Sequence, residues 1–169
     1  MKKSKLYKLA LSGLLVALTV AASPLSIPIG ASRCFPVQHL VNVVAAVVLG
    51  PGYGVGMALM TSLIRLGLGT GTLLAFPGSM AGALLCGLSY RYTGKLSLTC
   101  LAEVFGTGIL GALLAYPVAT LVMGREAALF GYILPFGVSS LGGALIAALV
   151  LIPLRQTGLL GRLAPAHRA

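Results

Sequence analysis

Acidic residues are almost missing from this chain. It has no aspartate and only two glutamates, Glu103 and Glu126, against 12 lysines and arginines, so 169 residues carry a formal charge of +10. Tryptophan is absent. The three cysteines, Cys34, Cys86 and Cys100, form no CxxC pair, which speaks against a disulfide scaffold or a cysteine-based zinc site. No nucleotide-binding motif and no plausible catalytic triad or dyad occurs. Gly67 to Thr72 is glycine-rich, but it lacks the GxxxxGK[ST] pattern and a strand before it. Charge of either sign is scarce too, at 8% of residues. A soluble domain is about one-quarter charged, so this chain has too little polar surface to cover itself in water.

What is present is oil. The sequence is 58% hydrophobic with a mean hydropathy of +1.03. The apolar runs are continuous, whereas barrel strands alternate, so the expected fold is an all-α integral membrane protein in one domain covering residues 1–169. Six apolar segments are candidates for spans of roughly 20 residues. They run over about 7–27, 35–49, 53–68, 76–92, 96–122 and 127–154, separated by Pro24 and Pro28, by Gly50 to Gly52, by Gly67 to Gly71, by Thr93-Gly94 and by Gly124.

Basic residues set the expected orientation. With the N-terminus inside, the inner side holds Lys2, Lys3, Lys5, Lys8, Arg91, Lys95, Arg155, Arg162 and Arg168. The outer side holds Arg33, Arg65 and Arg125. Nine against three is a positive-inside pattern that places both termini in the cytoplasm. The same scatter between apolar runs argues against nucleic-acid binding. Lys2, Lys3 and Lys5 ahead of Val20-Ala21-Ala22 also resemble a signal peptide. The long apolar stretch favours a retained helix. Gly13, Ala17 and Ala21 recur every four residues along it, a small-residue stripe suited to packing in the bundle or docking to a partner.

Arg33-Cys34-Phe35-Pro36-Val37-Gln38-His39-Leu40-Val41-Asn42 is the polar exception in this chain. Polar groups in hydrocarbon cost several kcal/mol each unless partnered. Pro36 to Leu49 is also fourteen residues, about 21 Å of helix against a core of about 30 Å. Either the bilayer thins there or the segment from Arg33 to Pro36 enters membrane depth. Gln38, His39 and Asn42, with Arg33 beside them, are expected either to line an outward-facing pocket or to form an interhelical hydrogen-bonded seam. Cys34 and His39 are two ligands, too few for a metal site, and no metal or cofactor is expected. Arg65 either snorkels outward or faces the pocket or a carboxylate. Thr70 and Thr72 follow it in a glycine turn, and Phe76, Pro77 and Tyr116 would supply an aromatic wall. Glu103, with Thr107 one turn on, is an intramembrane carboxylate and therefore a functional candidate. Its bland reading is a structural partnership with Arg91 or Lys95.

These residues resemble the substrate-binding S-components of energy-coupling-factor (ECF) vitamin transporters, most closely the ThiW type. The matching stretches are 31–39, 69–79 and 106–117, and with the six-segment layout they extend from about Leu9 to Leu151. The resemblance implies a six-helix S-component fold and no enzymatic activity. It implies capture of a thiamine precursor, assigned in this family to the thiazole moiety. It also implies partners in the bilayer and beneath it: a transmembrane coupling subunit and two cytoplasmic ATPases in a bacterial or archaeal plasma membrane. Docking in such proteins uses small residues on the first helix, here Gly13 and Ala17. Without tryptophan, stacking must use Phe, Tyr or His, which fits a one-ring ligand. A pyrimidine precursor would make similar demands. Rival readings are a self-sufficient carrier or channel, a scaffold, and a small membrane enzyme using His39 and Glu103. Counting along the spans sets those two side chains at different depths, which weighs against the enzyme.

Overall fold

The computed structural model describes residues 5–29, 32–126, 128–158 and 160. Lys2, Lys3, Arg162 and Arg168 of the charge count, Ala31 of the first matching stretch and Ala127 at the expected start of the sixth segment lie outside them. Six helices occur among the described residues. They are α1 (Lys5–Ala21), α2 (Pro36–Val48), α3 (Pro51–Gly67), α4 (Ala75–Thr93), α5 (Leu96–Val122) and α6 (Ile133–Gln156). Proline opens α2 and α3, where a missing N–H costs nothing and φ is already helical. Gly94 ends α4 in the left-handed conformation, with φ 63°. Two helices, α5 and α6, are long and apolar enough to cross a membrane.

Two expected boundaries move. α1 stops at Ala21 rather than continuing to Ile27, because Pro24 cannot extend the helix. A short turn over Ser23–Leu25 then leads into a small antiparallel hairpin, β1 (Ile27–Ile29) with β2 (Ser32–Cys34), in which Pro28 faces Arg33. The all-α fold therefore carries one β-hairpin just before α2. At the other end α6 begins at Ile133 instead of residue 127, with Pro135 in its first turn and turns over residues 129–132.

α2 is the centre of the bundle. Nine of its residues are buried, Gln38, His39 and Asn42 among them, and it packs on α3, α4, α5 and α6. Its second half joins an apolar cluster at one end of the molecule, with Val43, Val47, Tyr53, Tyr90, Leu96 and Leu154. A second apolar cluster gathers Leu74, Ala112, Ala115, Ala119, Tyr132 and Phe136. Along α5, Leu96 and Cys100 belong to the first cluster and Ala112 to Ala119 to the second. Glu103 and Thr107 fall between, so the buried polar layer sits between two oily ones. α1 lies at the edge against α3 and α2. Leu6, Leu9, Leu14 and Leu18 are exposed on it, as are Leu121, Leu134 and Leu149 elsewhere, the surface of a protein solvated by lipid.

Candidate functional site

Glycines bring the backbones together around the polar layer. A β-carbon on Gly82 of α4 would collide with Thr107 Oγ1 and lie 2.7 Å from Glu103 Oε1. On Gly143 of α6 it would overlap the Pro36 carbonyl and come 2.5 Å from His39 Cβ. Small residues thus let α4, α5, α6 and the start of α2 converge.

Glu103 is the hub of this layer and is fully buried. Its Oε1 accepts three hydrogen bonds, from His39 Nδ1 at 2.8 Å, Asn42 Nδ2 at 3.0 Å and Thr107 Oγ1 at 3.1 Å. The other carboxyl oxygen, Oε2, is buried without a hydrogen-bond partner. Asn42 Nδ2 also reaches the Ser79 carbonyl, and Thr107 Oγ1 the Gly78 carbonyl, both on α4. The expected separation of His39 and Glu103 is therefore overturned. α2 begins inside the bundle, with Phe35, Gln38 and His39 all buried, so counting residues from the membrane surface misplaces His39. Arg91 and Lys95 are both exposed, and Glu103 takes His39, Asn42 and Thr107 as partners instead.

Above this hub is a cavity of about 60 Å³. That is small beside the roughly 300–1,000 Å³ of ordinary ligand clefts, which favours a compact ligand. His39, Thr107 and Gln38 line it, with Phe35 and Phe136 as its aromatic walls and Arg33, Arg65, Gly71 and Thr72 also on its surface. Arg65 does not snorkel outward. It is buried, with its guanidinium carbon 3.9 Å over the Phe35 ring and Nη2 donating to the Thr70 carbonyl at 3.2 Å. The Thr70 and Gly71 N–H groups in turn donate to the Arg65 carbonyl, so the glycine turn folds back on the end of α3. Phe35 N–H donates to Ser139 Oγ at 2.7 Å and ties the start of α2 to α6.

Of the residues singled out from sequence, Arg33, Gln38, His39, Arg65, Thr72 and Thr107 meet at this cavity. Asn42 and Glu103 stand behind it, and Thr70 contributes its carbonyl to Arg65. Phe76 and Tyr116 are half-buried outside it, so the aromatic wall is corrected to Phe35 and Phe136. Sequence reasoning passed over Phe136, Ser79 and Ser139; the paired Ser139-Ser140 inside an apolar helix was the available signal. Gly13, Ala17 and Ala21 are exposed on α1, and a β-carbon at Gly13 would meet nothing within 4 Å, so the stripe is not consumed by packing in the bundle.

Residues 9–157 match the family model described as thiamine-precursor transporter protein (ThiW). The chain belongs to the ThiW family. A search of curated proteins gives no match. Membership makes this a membrane transport protein with a small-molecule substrate, and the cavity over Glu103 is its candidate binding site. A ThiW pocket built this way holds His39 in one orientation: Nδ1 is committed to Glu103, leaving Nε2 as the nitrogen available to a ligand.

Proposed function

We propose that this chain is the substrate-specificity subunit of an ECF-type transporter and that its cargo is hydroxyethylthiazole, taken up for thiamine synthesis. The observation that carries the reading is the 60 Å³ cavity with polar His39, Thr107 and Gln38 and aromatic Phe35 and Phe136. Its size suits one ring rather than a whole vitamin, and two phenylalanines replace the missing tryptophan as apolar faces for that ring. His39 Nε2 and Gln38 supply hydrogen bonds to the heteroatoms. The chain uses no chemistry of its own; the His39–Glu103 pair shapes the pocket.

In this reading all six helices lie in a plasma membrane of a bacterium or archaeon as one domain with both termini cytoplasmic. Lys5, Lys8, Arg91, Lys95 and Arg155 support that orientation. They lie at the ends of α1, α4, α5 and α6, around the apolar cluster that contains Tyr53, Tyr90, Leu96 and Leu154. The cavity lies toward the opposite end of the bundle. The ligand enters from outside, and a transmembrane coupling subunit with two cytoplasmic ATPases drives its release. The exposed Gly13, Ala17 and Ala21 stripe is the docking face for that module.

Titration of the purified protein with hydroxyethylthiazole is expected to give saturable binding that weakens in His39→Ala and Asn42→Ala. No binding by the folded protein sinks the proposal. Unchanged affinity in both variants removes the pocket assignment. Gly13→Leu with Ala17→Leu should abolish copurification with the ATPase module and leave binding intact; a surviving complex refutes the docking face.

A further inference from the structure

Two guanidinium groups face the cavity and no carboxylate answers them. The chain has only Glu103 and Glu126 as acidic side chains. Glu103 Oε1 is taken by His39, Asn42 and Thr107, and its buried Oε2 has no partner, with neither arginine within ion-pair distance of it. Glu126 is exposed in the segment after α5, next to Arg125. Among the described residues no lysine or arginine lies within ion-pair distance of a carboxylate, and the one close contact of this kind is His39 Nδ1 with Glu103 Oε1 at 2.8 Å. Arg33 and Arg65, both at the cavity, have none.

Arg65 is the more telling of the two. Only 5% of it is exposed. Phe35 stacks on its guanidinium and the Thr70 carbonyl takes Nη2, while its Nε is buried without a partner. Gln38, another residue of the cavity lining, has its Oε1 buried and unpartnered, an acceptor for a donor on the ring rather than for the anion. Removing a charge from water costs several kcal/mol, and only an opposite charge in good geometry offsets it. A guanidinium held in place by a ring beneath it and a carbonyl beside it has lost little further freedom when it meets an anion, and its fork matches two oxygens at once. Arg33, exposed on the hairpin, adds a second cation on the same cavity.

We infer that the cavity is built for an anionic form of its ligand. The ring packs between Phe35 and Phe136 above His39 and Thr107, and a phosphate or carboxylate carried by the ring sits between Arg33 and Arg65. This inference rests on the reading of the cavity as a ligand site and names the charge class of what it takes. A thiazole alcohol fills the inner part alone; its phosphate monoester, or a ring of the same size bearing a carboxylate, also engages the arginines.

The test is a calorimetric titration of the full-length protein in an uncharged detergent with hydroxyethylthiazole, its phosphate monoester and the corresponding thiazole carboxylate. The expected result is that at least one anion binds about tenfold or more tightly than the alcohol. That preference should shrink with added sodium chloride and fall toward unity in Arg33→Gln. Because Arg65 is buried and stacked, Arg65→Gln is read only where its thermal melt shows a folded protein, and Arg33→Gln, at an exposed position, carries the test otherwise. Alcohol binding equal to or tighter than both anions overturns the inference and leaves the proposed function standing. No binding of any of the three by folded protein overturns both. A repeat in nanodiscs separates a soluble anion from a lipid headgroup. If phosphatidylglycerol abolishes the anion preference that phosphatidylcholine preserves, the arginines serve lipid and the inference falls.

Discussion

Gly82→Ala is the sharpest test of how the pocket floor is made. The new methyl would overlap Thr107 Oγ1 and sit 2.7 Å from Glu103 Oε1 and 2.9 Å from Glu103 Cδ. Neither neighbour has room to yield. Glu103 is wholly buried under three donors, and Thr107 is bonded to both Glu103 and the Gly78 carbonyl. α5 already lies so close that a β-carbon on Gly106 would be 2.9 Å from Gly82 Cα, so relief by backbone movement requires the two helices to part. The single Thr107 hydroxyl proton is shared between Glu103 Oε1 and the Gly78 carbonyl, so turning Thr107 away forfeits one charge-assisted bond, about 1.5–3 kcal/mol. Parting the helices instead costs about 1–3 kcal/mol of overpacking strain. Alanine returns about 1 kcal/mol of helix propensity. Taking the cheaper route, the net loss is about 0–2 kcal/mol, or up to roughly 8 °C in Tm at 2–4 °C per kcal/mol. Gly56→Ala is the matched control, because it is mid-helix in α3 and its β-carbon meets nothing within 4 Å. Circular dichroism melts of both proteins in detergent, with hydroxyethylthiazole titrations, decide the matter. The expected outcome is a lower Tm and about tenfold weaker binding for Gly82→Ala, with Gly56→Ala at or above the wild-type Tm. If the two variants melt together and Gly82→Ala binds normally, the close seam and its hold on Thr107 are refuted.

Other expectations follow from single contacts. Glu103→Ala leaves Thr107 with the Gly78 carbonyl and Asn42 with the Ser79 carbonyl, but strips His39 Nδ1 of its carboxylate. One orphaned group costs about 1–3 kcal/mol of stability, read as a lower Tm, and a His39 ring no longer fixed by the carboxylate should bind hydroxyethylthiazole more weakly by titration; an unchanged Tm and affinity mean His39 is held by something else. Ser139→Ala removes the acceptor of the Phe35 N–H and should lower both Tm and affinity, by about 1–2 kcal/mol in the melt. Phe76→Leu and Tyr116→Phe lie outside the cavity, and a titration of either should give a Kd within about twofold of wild type; a larger loss would restore them to the binding wall.

The sequence reading located the helices because oil and breakers are local signals. Pro36, Pro51 and Gly94 mark ends that depend only on missing donors or a left-handed φ. The hairpin escaped because strands of three residues are too short to show alternation. The pairing of His39 with Glu103 escaped because it joins residues 64 apart, on a helix that starts inside the bundle. That Phe35 and Phe136, rather than Phe76 and Tyr116, line the cavity escaped for a different reason. α4 and α6 are apolar nearly all round, so Ser79 on one and Ser139-Ser140 on the other are the few cues to which side looks inward. Polar residues were the better guide. Arg33, Gln38, His39, Arg65, Thr72 and Thr107 come from five different elements or turns and still meet at one cavity, since hydrocarbon leaves buried polar groups few partners except one another.

The geometry of α5 explains how two glycines five residues apart serve one seam. Gly78 and Gly82 on α4 are four apart, and across from them stand Gly111 and Gly106; a β-carbon on Gly111 would be 2.5 Å from Gly78 Cα. At 3.6 residues per turn, residue i+5 of an α-helix swings about 140° away from residue i. Gly106 and Gly111 therefore share a face only because the helix widens to i→i+5 bonding over Gly106–Gly111. Regular α-helical winding would set Leu110, four residues after Gly106, against Gly78 instead. Leu110 is now 38% exposed to the surroundings, and its bulk in the seam would push α5 off α4. The widened turn also contains Thr107, whose hydroxyl bridges the Gly78 carbonyl and Glu103. Helix winding, glycine spacing and the buried carboxylate are thus one construction, and the pocket floor depends on all three.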